Sequence, residues 1–325
     1  MRVVVIGLGS MGKRRIRLIQ KKYGAFDIIG VDTNEERRKT CEEEWRITTY
    51  NNLTEAIATT KIDCAFICTS PLSHCNIITQ CLNSGLHVFS ELNLVADGYE
   101  ENIVLAKQKN VVLFLSSTFL YRDEIKQIKS LTKQTNCQLN YTYHIGQYLP
   151  DWHPWENYED FFVGNKRSNG CREIFAIELP WLSDVFGDII KVDVIKSKMS
   201  NLNIDYEDNY LVLIQHDSGY KGTLAVDIVS RKAVRNLEVF GEQLYLHWDG
   251  SPNGLYVYDY AEKRDVKVQL YKELDQLENY SSFVVENAYS NEIDSFFNAI
   301  IEGKVPIYSF ENDKNILRII DRLEA

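Results

Sequence analysis

Apolar runs of strand length alternate with segments of helical period through the first 120 residues. Val3-Val4-Val5-Ile6 is a continuous β-branched run, the pattern of a strand buried on both faces of a parallel sheet. Behind it Gly12, Ile16, Ile19 and Tyr23 recur on one helical face. The pattern then repeats, with a strand over 26–32 and a charged helix from Asn34, and a strand over 62–68 and a helix carrying Ile77, Ile78, Cys81 and Leu82. Strands over 87–90 and 111–115 flank a helix through Ile103 and Ala106. Alternation with short connections predicts right-handed crossovers and a doubly wound α/β domain over 1–120.

From residue 121 the period changes. Ile125, Ile128 and Leu131 mark a helix, and Leu139, Tyr141 and Tyr143 alternate along a strand. Strand-like stretches follow at 189–195, 210–216, 221–230, 237–240 and 244–248, with Asp217-Ser218-Gly219 as a hairpin turn. Their alternation buries one face and leaves one available, as in a largely antiparallel open sheet. Helices over 291–301 and 311–323 close the chain, with Phe296, Ile300 and Ile301 in the core. The expectation is an α+β domain over 121–325, whose last helix can pack back on the first domain.

The length of 325 residues suits two domains. Against 36 basic side chains stand 46 acidic ones, a formal charge of −10. That argues against phosphate-backbone binding, so no nucleic-acid partner is expected. No apolar run approaches the roughly 18–20 residues that cross a bilayer, and the start lacks an export-signal core, so neither a membrane nor secretion is expected. The seven cysteines form no C-x-x-C pair and the six histidines no H-E-x-x-H spacing. Free thiols, a cytoplasmic location and no metal site follow as expectations.

Candidate chemistry begins at Gly7-Leu8-Gly9-Ser10-Met11-Gly12, a G-x-G-x-x-G after a buried strand and opening a helix, the context that the dinucleotide fingerprint requires. Gly7 permits the tight turn, Gly9 admits a pyrophosphate to the backbone, and Gly12 lets helix and strand approach. The helix N-terminus offers unpaired N–H groups to the phosphates. Asp32 stands twenty residues past Gly12, at the end of the second strand, where a carboxylate can accept both ribose hydroxyls. It disfavours a 2′-phosphate, so NAD is expected over NADP in a Rossmann domain. Arg37 and Arg38, one turn into the next helix, could soften that preference or form a solvated face.

On these residues the sequence resembles the glucose–fructose oxidoreductase and inositol dehydrogenase family, Gfo/Idh/MocA, over nearly its whole length. The resemblance extends to Thr69, Ser70, Pro71 and His74 after one strand and to Glu91 and Asn93 after the next, turns that line the cofactor in the family. There the second turn reads Glu-Lys-Pro. This chain keeps Glu91 but has Leu92 for the lysine and Asn93 for the proline. The family also carries Asp-x-x-x-His-x-x-Asp on a helix that ends at a glycine. Anchoring on Gly187 puts Glu173 at the first aspartate, Ile177 at the histidine and Pro180 at the second aspartate, and a one-residue slip puts Glu178 at the histidine. In either register the histidine is missing.

Alcohol oxidation needs an acceptor for the hydroxyl proton. The candidates are His153 and Tyr148, from the segment Gly146 to Trp155 that resembles members associated with surface-sugar biosynthesis, with Glu173 and Glu178 of the later helix beside them. Gln147, Trp152, Trp155 and Glu178 are the expected substrate contacts, since flat rings with polar edges suit sugar faces. For His153 and the rings, plain loop packing is the competing reading. The expectation is an NAD-dependent oxidoreductase moving a hydride to or from a sugar, amino sugar or nucleotide sugar. The alternatives are a non-catalytic NAD-binding sensor or partner protein, and a glycoside-cleaving enzyme that uses bound NAD transiently. The resemblance further implies a homodimer or homotetramer paired through the free face of the second sheet.

Overall fold

The computed structural model describes residues 1–153, 156–276 and 283–325. Its first part runs β1 (Arg2–Ile6), α1 (Ser10–Lys22), β2 (Asp27–Val31), α2 (Glu35–Trp45), β3 (Thr48–Tyr50), α3 (Leu53–Thr59), β4 (Cys64–Ile67), α4 (His74–Asn83), β5 (His87–Ser90), α5 (Tyr99–Lys109) and β6 (Leu113–Leu115). The six strands form one parallel sheet in the order β3-β2-β1-β4-β5-β6. Val3 to Ile6 are buried, as a central strand covered on both faces must be. Strand order reverses between β1 and β4, which opens a crevice at their carboxyl ends.

The second part runs α6 (Asp123–Gln134), β7 (Leu139–Gly146), α7 (Gly170–Phe186), β8 (Ile189–Ser197), β9 (Asn209–His216), β10 (Lys221–Asp227), β11 (Val234–Gly241), β12 (Leu244–Trp248), β13 (Leu255–Asp259), β14 (Arg264–Lys267), α8 (Glu286–Glu302) and α9 (Phe310–Glu324). Its eight-stranded sheet has the order β14-β13-β12-β11-β7-β10-β9-β8 and is antiparallel except where β7 pairs with β10. The β9–β10 hairpin turns at Asp217-Ser218-Gly219, with Gly219 at φ +87. Burial alternates along β9, where Tyr210, Val212 and Ile214 are buried while Leu211 and Leu213 lie more than half exposed. One face of this sheet is therefore buried and the other open, with Leu211 and Leu213 among its exposed positions.

The chain divides into two compact units, Met1–Ser117 with Tyr289–Asn315, and Thr118–Ala288 with Ile316–Ala325. The first unit thus recovers a segment that the pattern had grouped with 121–325. The reason is aromatic. Phe66 and Phe89 stack at 4.7 Å, Phe89 and Phe114 at 5.0 Å, and Phe296 of α8 meets all three edge-on at 5.2–5.7 Å. The sequence pattern also missed β3, α3, β13 and β14. Among the described residues no helix is long and apolar enough to cross a membrane. All seven cysteines are free.

Candidate functional site

In the first unit the fingerprint has the backbone it needs. Gly7 has φ +91, and a Cβ there would lie 2.6 Å from the Cys68 carbonyl oxygen. A Cβ on Gly12 would overlap the Gly7 carbonyl oxygen, so helix and turn close only around glycine. Gly9 is different. The nearest atom to a Cβ there is Arg37 Nη1 at 3.9 Å, leaving its backbone open beside the α1 N-terminus. Ser10 is exposed and Met11 half-buried at that terminus.

Asp32 closes the turn from the β2 side. Its Oδ2 accepts from Leu8 N and its Oδ1 from Asn34 N, both at 2.8 Å. A carboxylate has about four acceptor positions, so two remain for ribose hydroxyls. Arg37 Nη1 stands 3.9 Å from Asp32 Oδ2, and Arg38 Nη1 donates to the Asp32 carbonyl at 2.7 Å. These residues fit a dinucleotide, with an open phosphate cradle and a ribose acceptor on one edge.

After β4, Ser70 is exposed, Thr69 is half-buried with its hydroxyl 2.8 Å from Ser73 Oγ, and Pro71 opens a short 3-10 turn. His74 is buried, with Nε2 3.0 Å from the Thr69 carbonyl and Nδ1 2.5 Å from the Asn93 side-chain amide. It thereby ties the turn after β4 to the turn after β5. Burial lowers its pKa. Glu91 does not point its carboxylate freely at the crevice. Arg15 Nε donates to Oε1 at 2.6 Å and Arg15 Nη2 to Oε2 at 3.1 Å. Leu92 is half-buried beside it.

The second unit carries the remaining candidates. Trp152 Nε1 donates to the Gln147 carbonyl at 3.0 Å, which folds the loop after β7 back on itself. The Arg231 guanidinium lies 4.1 Å above the Tyr148 ring. His153 packs on Phe161 at 4.5 Å, and burial lowers its pKa. Trp155 lies outside the described residues. Helix α7 starts at Gly170, where a Cβ would touch Ile228 and Leu149 at 3.2 Å and Trp152 at 3.5 Å, so the helix start packs against this loop. Asn169 caps it by accepting from Arg172 N at 2.8 Å.

Glu173 and Ile177 fall one turn apart on α7, both half-buried. Glu173 Oε2 is buried and has no hydrogen-bond partner among the described residues. Desolvation pushes its pKa up to about 7. Glu178, expected against substrate, has another occupation. It is fully buried, and its oxygens accept from Tyr143 Oη at 2.8 Å, Trp181 Nε1 at 2.6 Å, and Arg235 Nε and Nη2 at 3.0 and 2.7 Å. A carboxylate with four internal donors holds α7 to β7 and β11 and has little left for a ligand. Sequence reasoning missed Arg15 and Arg235. For Arg15 a signal existed, a charge next to the apolar positions Gly12, Ile16 and Ile19 of α1.

Residues 1–117 match the profile of the oxidoreductase family with an NAD-binding Rossmann fold, Gfo/Idh/MocA. The chain is 23% identical to myo-inositol 2-dehydrogenase of Thermotoga maritima over 336 residues, 98% of this chain and 93% of the relative. Among solved structures it is similar to myo-inositol 2-dehydrogenase of Lactobacillus plantarum, with TM-score 0.79, 19% identity and coverage of 99% and 96%. It is also similar to UDP-N-acetylglucosamine 3-dehydrogenase of Acidithiobacillus ferrooxidans, with TM-score 0.75, 18% identity and coverage of 100% and 96%. At these identities the structural likeness speaks for the fold, a parallel sheet followed by a mostly antiparallel one. The fingerprint geometry agrees with the matched segment: residues 1–117 match the NAD-binding Rossmann fold of the Gfo/Idh/MocA oxidoreductase family.

Proposed function

We propose that the protein oxidises a hydroxyl-bearing carbon of a sugar, amino sugar or nucleotide sugar, or runs the reverse reduction, with Glu173 as the group that handles the hydroxyl proton. The observation that carries this reading is the buried Oε2 of Glu173, which has no hydrogen-bond partner among the described residues and belongs to a carboxyl whose pKa is pushed up to about 7. A carboxyl poised at neutrality accepts a proton as readily as it gives one, which suits reversible alcohol chemistry. Bound NAD would supply the hydride acceptor. Gly7, Gly9, Gly12 and the α1 N-terminus would hold its phosphates and Asp32 its adenosine ribose. Glu173 in its ionised form takes the hydroxyl proton, and Trp152, Tyr148 and Gln147 shape the loop that meets the sugar. His153 and Tyr148 are weaker proton acceptors, because one is packed on Phe161 and the other lies under Arg231. The names of the relatives, which specify myo-inositol and UDP-N-acetylglucosamine, support a polyhydroxylated substrate.

A second reading, a non-catalytic NAD-binding sensor or partner protein, is favoured by Leu92 and Ile177, which put apolar side chains where the family resemblance implies a lysine and a histidine. Under either reading we propose a cytoplasmic protein, in keeping with seven free thiols, that pairs with a second copy through the sheet face bearing Ile195, Leu211 and Leu213. The experiment is a titration with NADH and NADPH, followed by a screen for NAD reduction with inositols, hexoses and UDP-sugars between pH 6 and 9. The expected result is binding of NADH ahead of NADPH, with an oxidation rate that rises through about pH 7 as Glu173 ionises. Tight NADH binding with no reduction by any of the compounds favours the sensor, and no binding of either nucleotide overturns both readings.

A further inference from the structure

In the second unit, the helix that carries Glu173 is tied at its start to the last turn of α9. Asn169, buried just before α7, accepts at Oδ1 from Arg172 N at 2.8 Å, and its backbone carbonyl accepts from Glu173 N at 3.0 Å. Its side-chain Nδ2 uses both hydrogens, one on the Lys166 carbonyl at 3.0 Å and one on Glu324 Oε1 at 2.7 Å. The other oxygen of Glu324 accepts from Arg172 Nη1, while Arg172 Nη2 donates to Asp321 Oδ1 at 2.7 Å. The Glu324 backbone carbonyl accepts from Lys196 Nζ of β8. Arg172 is buried, whereas the Glu324 side chain is 21% exposed and that of Asp321 64%. One carboxylate thus meets the helix cap with one oxygen and the first helical turn with the other.

We propose that Glu324 is a positioning residue for Glu173: through the Asn169 cap it keeps the first turn of α7 closed and water away from the proton-handling carboxyl. The orientation of the Asn169 amide is the link. With Nδ2 held by Lys166 and Glu324, the oxygen faces the helix and caps it. Removing the Glu324 acceptor leaves a buried N–H without its partner, and the amide is then free to turn. A nitrogen turned toward the helix cannot accept from Arg172 N, so the cap is lost. The turn that opens first is the one that holds Glu173, because its backbone N–H also hangs on Asn169. Burial is what raises the Glu173 carboxyl to about 7, so its proton affinity reports whether that turn stays closed. Asp321 supplies the contrast, since among the described residues it bonds Arg172 and not Asn169.

The inference rests on Glu173 as the proposed proton-handling group, and its test separates the two. The Glu173 carboxyl is titrated in the ligand-free full chain by isotope-edited nuclear magnetic resonance of the glutamate carboxyl carbons, with Glu173→Gln identifying its signal. Wild type is compared with Glu324→Ala, Asn169→Ala, the two combined, and Asp321→Ala. The expected result is a midpoint that falls from about 7 by about one pH unit or more in Glu324→Ala, as water reaches the carboxylate. Asn169→Ala lowers it equally, and the combined variant lowers it no further, since both act through one cap. Asp321→Ala leaves the midpoint at the wild-type value. An unchanged midpoint in folded Glu324→Ala, or an equal fall in Asp321→Ala, marks Glu324 as a plain structural ion pair and overturns the inference. Where Glu324→Ala does not fold, Asn169→Ala decides in the same way. A wild-type carboxyl that titrates near the ordinary 4.5 refutes the assignment of Glu173 itself.

Discussion

Replacing Glu173 by glutamine leaves the shape of the side chain and removes its titration, and the structure gives opposite signs for stability and turnover. Desolvation raises this carboxyl from its ordinary 4.5 to about 7. Between those values the folded protein holds the proton more tightly than the unfolded chain does. The group's favourable contribution is therefore complete below about pH 4.5 and lost as pH climbs through about 7. Each tenfold in proton affinity is worth about 1.4 kcal/mol, so the penalty of ionising the buried carboxyl is at most about 3 kcal/mol at pH 8 and below about 1 kcal/mol at pH 5. Glutamine never incurs it. Urea unfolding of the ligand-free protein should find Glu173→Gln more stable than wild type by about 2–3 kcal/mol at pH 8, with little difference at pH 5. Turnover on a substrate found by the screen should fall by about 10²–10⁴. A gain that does not depend on pH, or a loss at pH 8, would mean that Oε2 has a partner after all. Undiminished turnover would move the proton to another residue.

Gly12→Ala places a methyl on the Gly7 carbonyl oxygen, and NADH affinity should fall at least about tenfold by calorimetry as the turn opens. Glu178→Ala leaves Arg235 buried without its carboxylate, and should lower stability by about 3–5 kcal/mol in chemical unfolding. If Glu178 served the substrate instead, binding would suffer and stability would not. Leu213→Asp sits on the open sheet face, so the fold of a single chain should keep its stability within about 0.5 kcal/mol. Light scattering should show a lower mass if that face joins two copies, and an unchanged mass would place the contact elsewhere.

The first unit was legible because its signals are local. Val3–Ile6 can only be a strand covered on both sides, and the Gly7–Gly12 spacing has a backbone meaning that the positive φ of Gly7 bears out. The family resemblance located the Thr69–His74 and Glu91–Asn93 turns, but not what their side chains do. Glu91 is joined to Arg15, 76 residues away, and Arg15 to Glu292, 277 residues away, and no period in a sequence encodes such partners. β13 and β14 escaped notice because they lie at one end of the sheet, where Tyr256, Tyr258 and the charges of Arg264–Lys267 blur the apolar alternation. β3 is three residues long and has no period to read. Glu173 was identified by alignment to a motif, while the isolation of its carboxyl oxygen is a property of packing alone.

The aromatic contact between Phe296 and the phenylalanines of β4, β5 and β6 has a consequence for how the protein is made. The nascent chain completes all six parallel strands by Leu115, yet the ring that covers Phe66, Phe89 and Phe114 emerges only after the whole segment 118–288 has been translated. At about 5–20 residues per second that is a wait of roughly 10 to 35 seconds. During it, three stacked rings and the buried guanidinium of Arg15 lack the helix that later seals them. The nucleotide-binding unit, although most of it is translated before residues 118–288, is thus among the last parts to finish folding, and a fragment ending near residue 117 should be a client for holding chaperones.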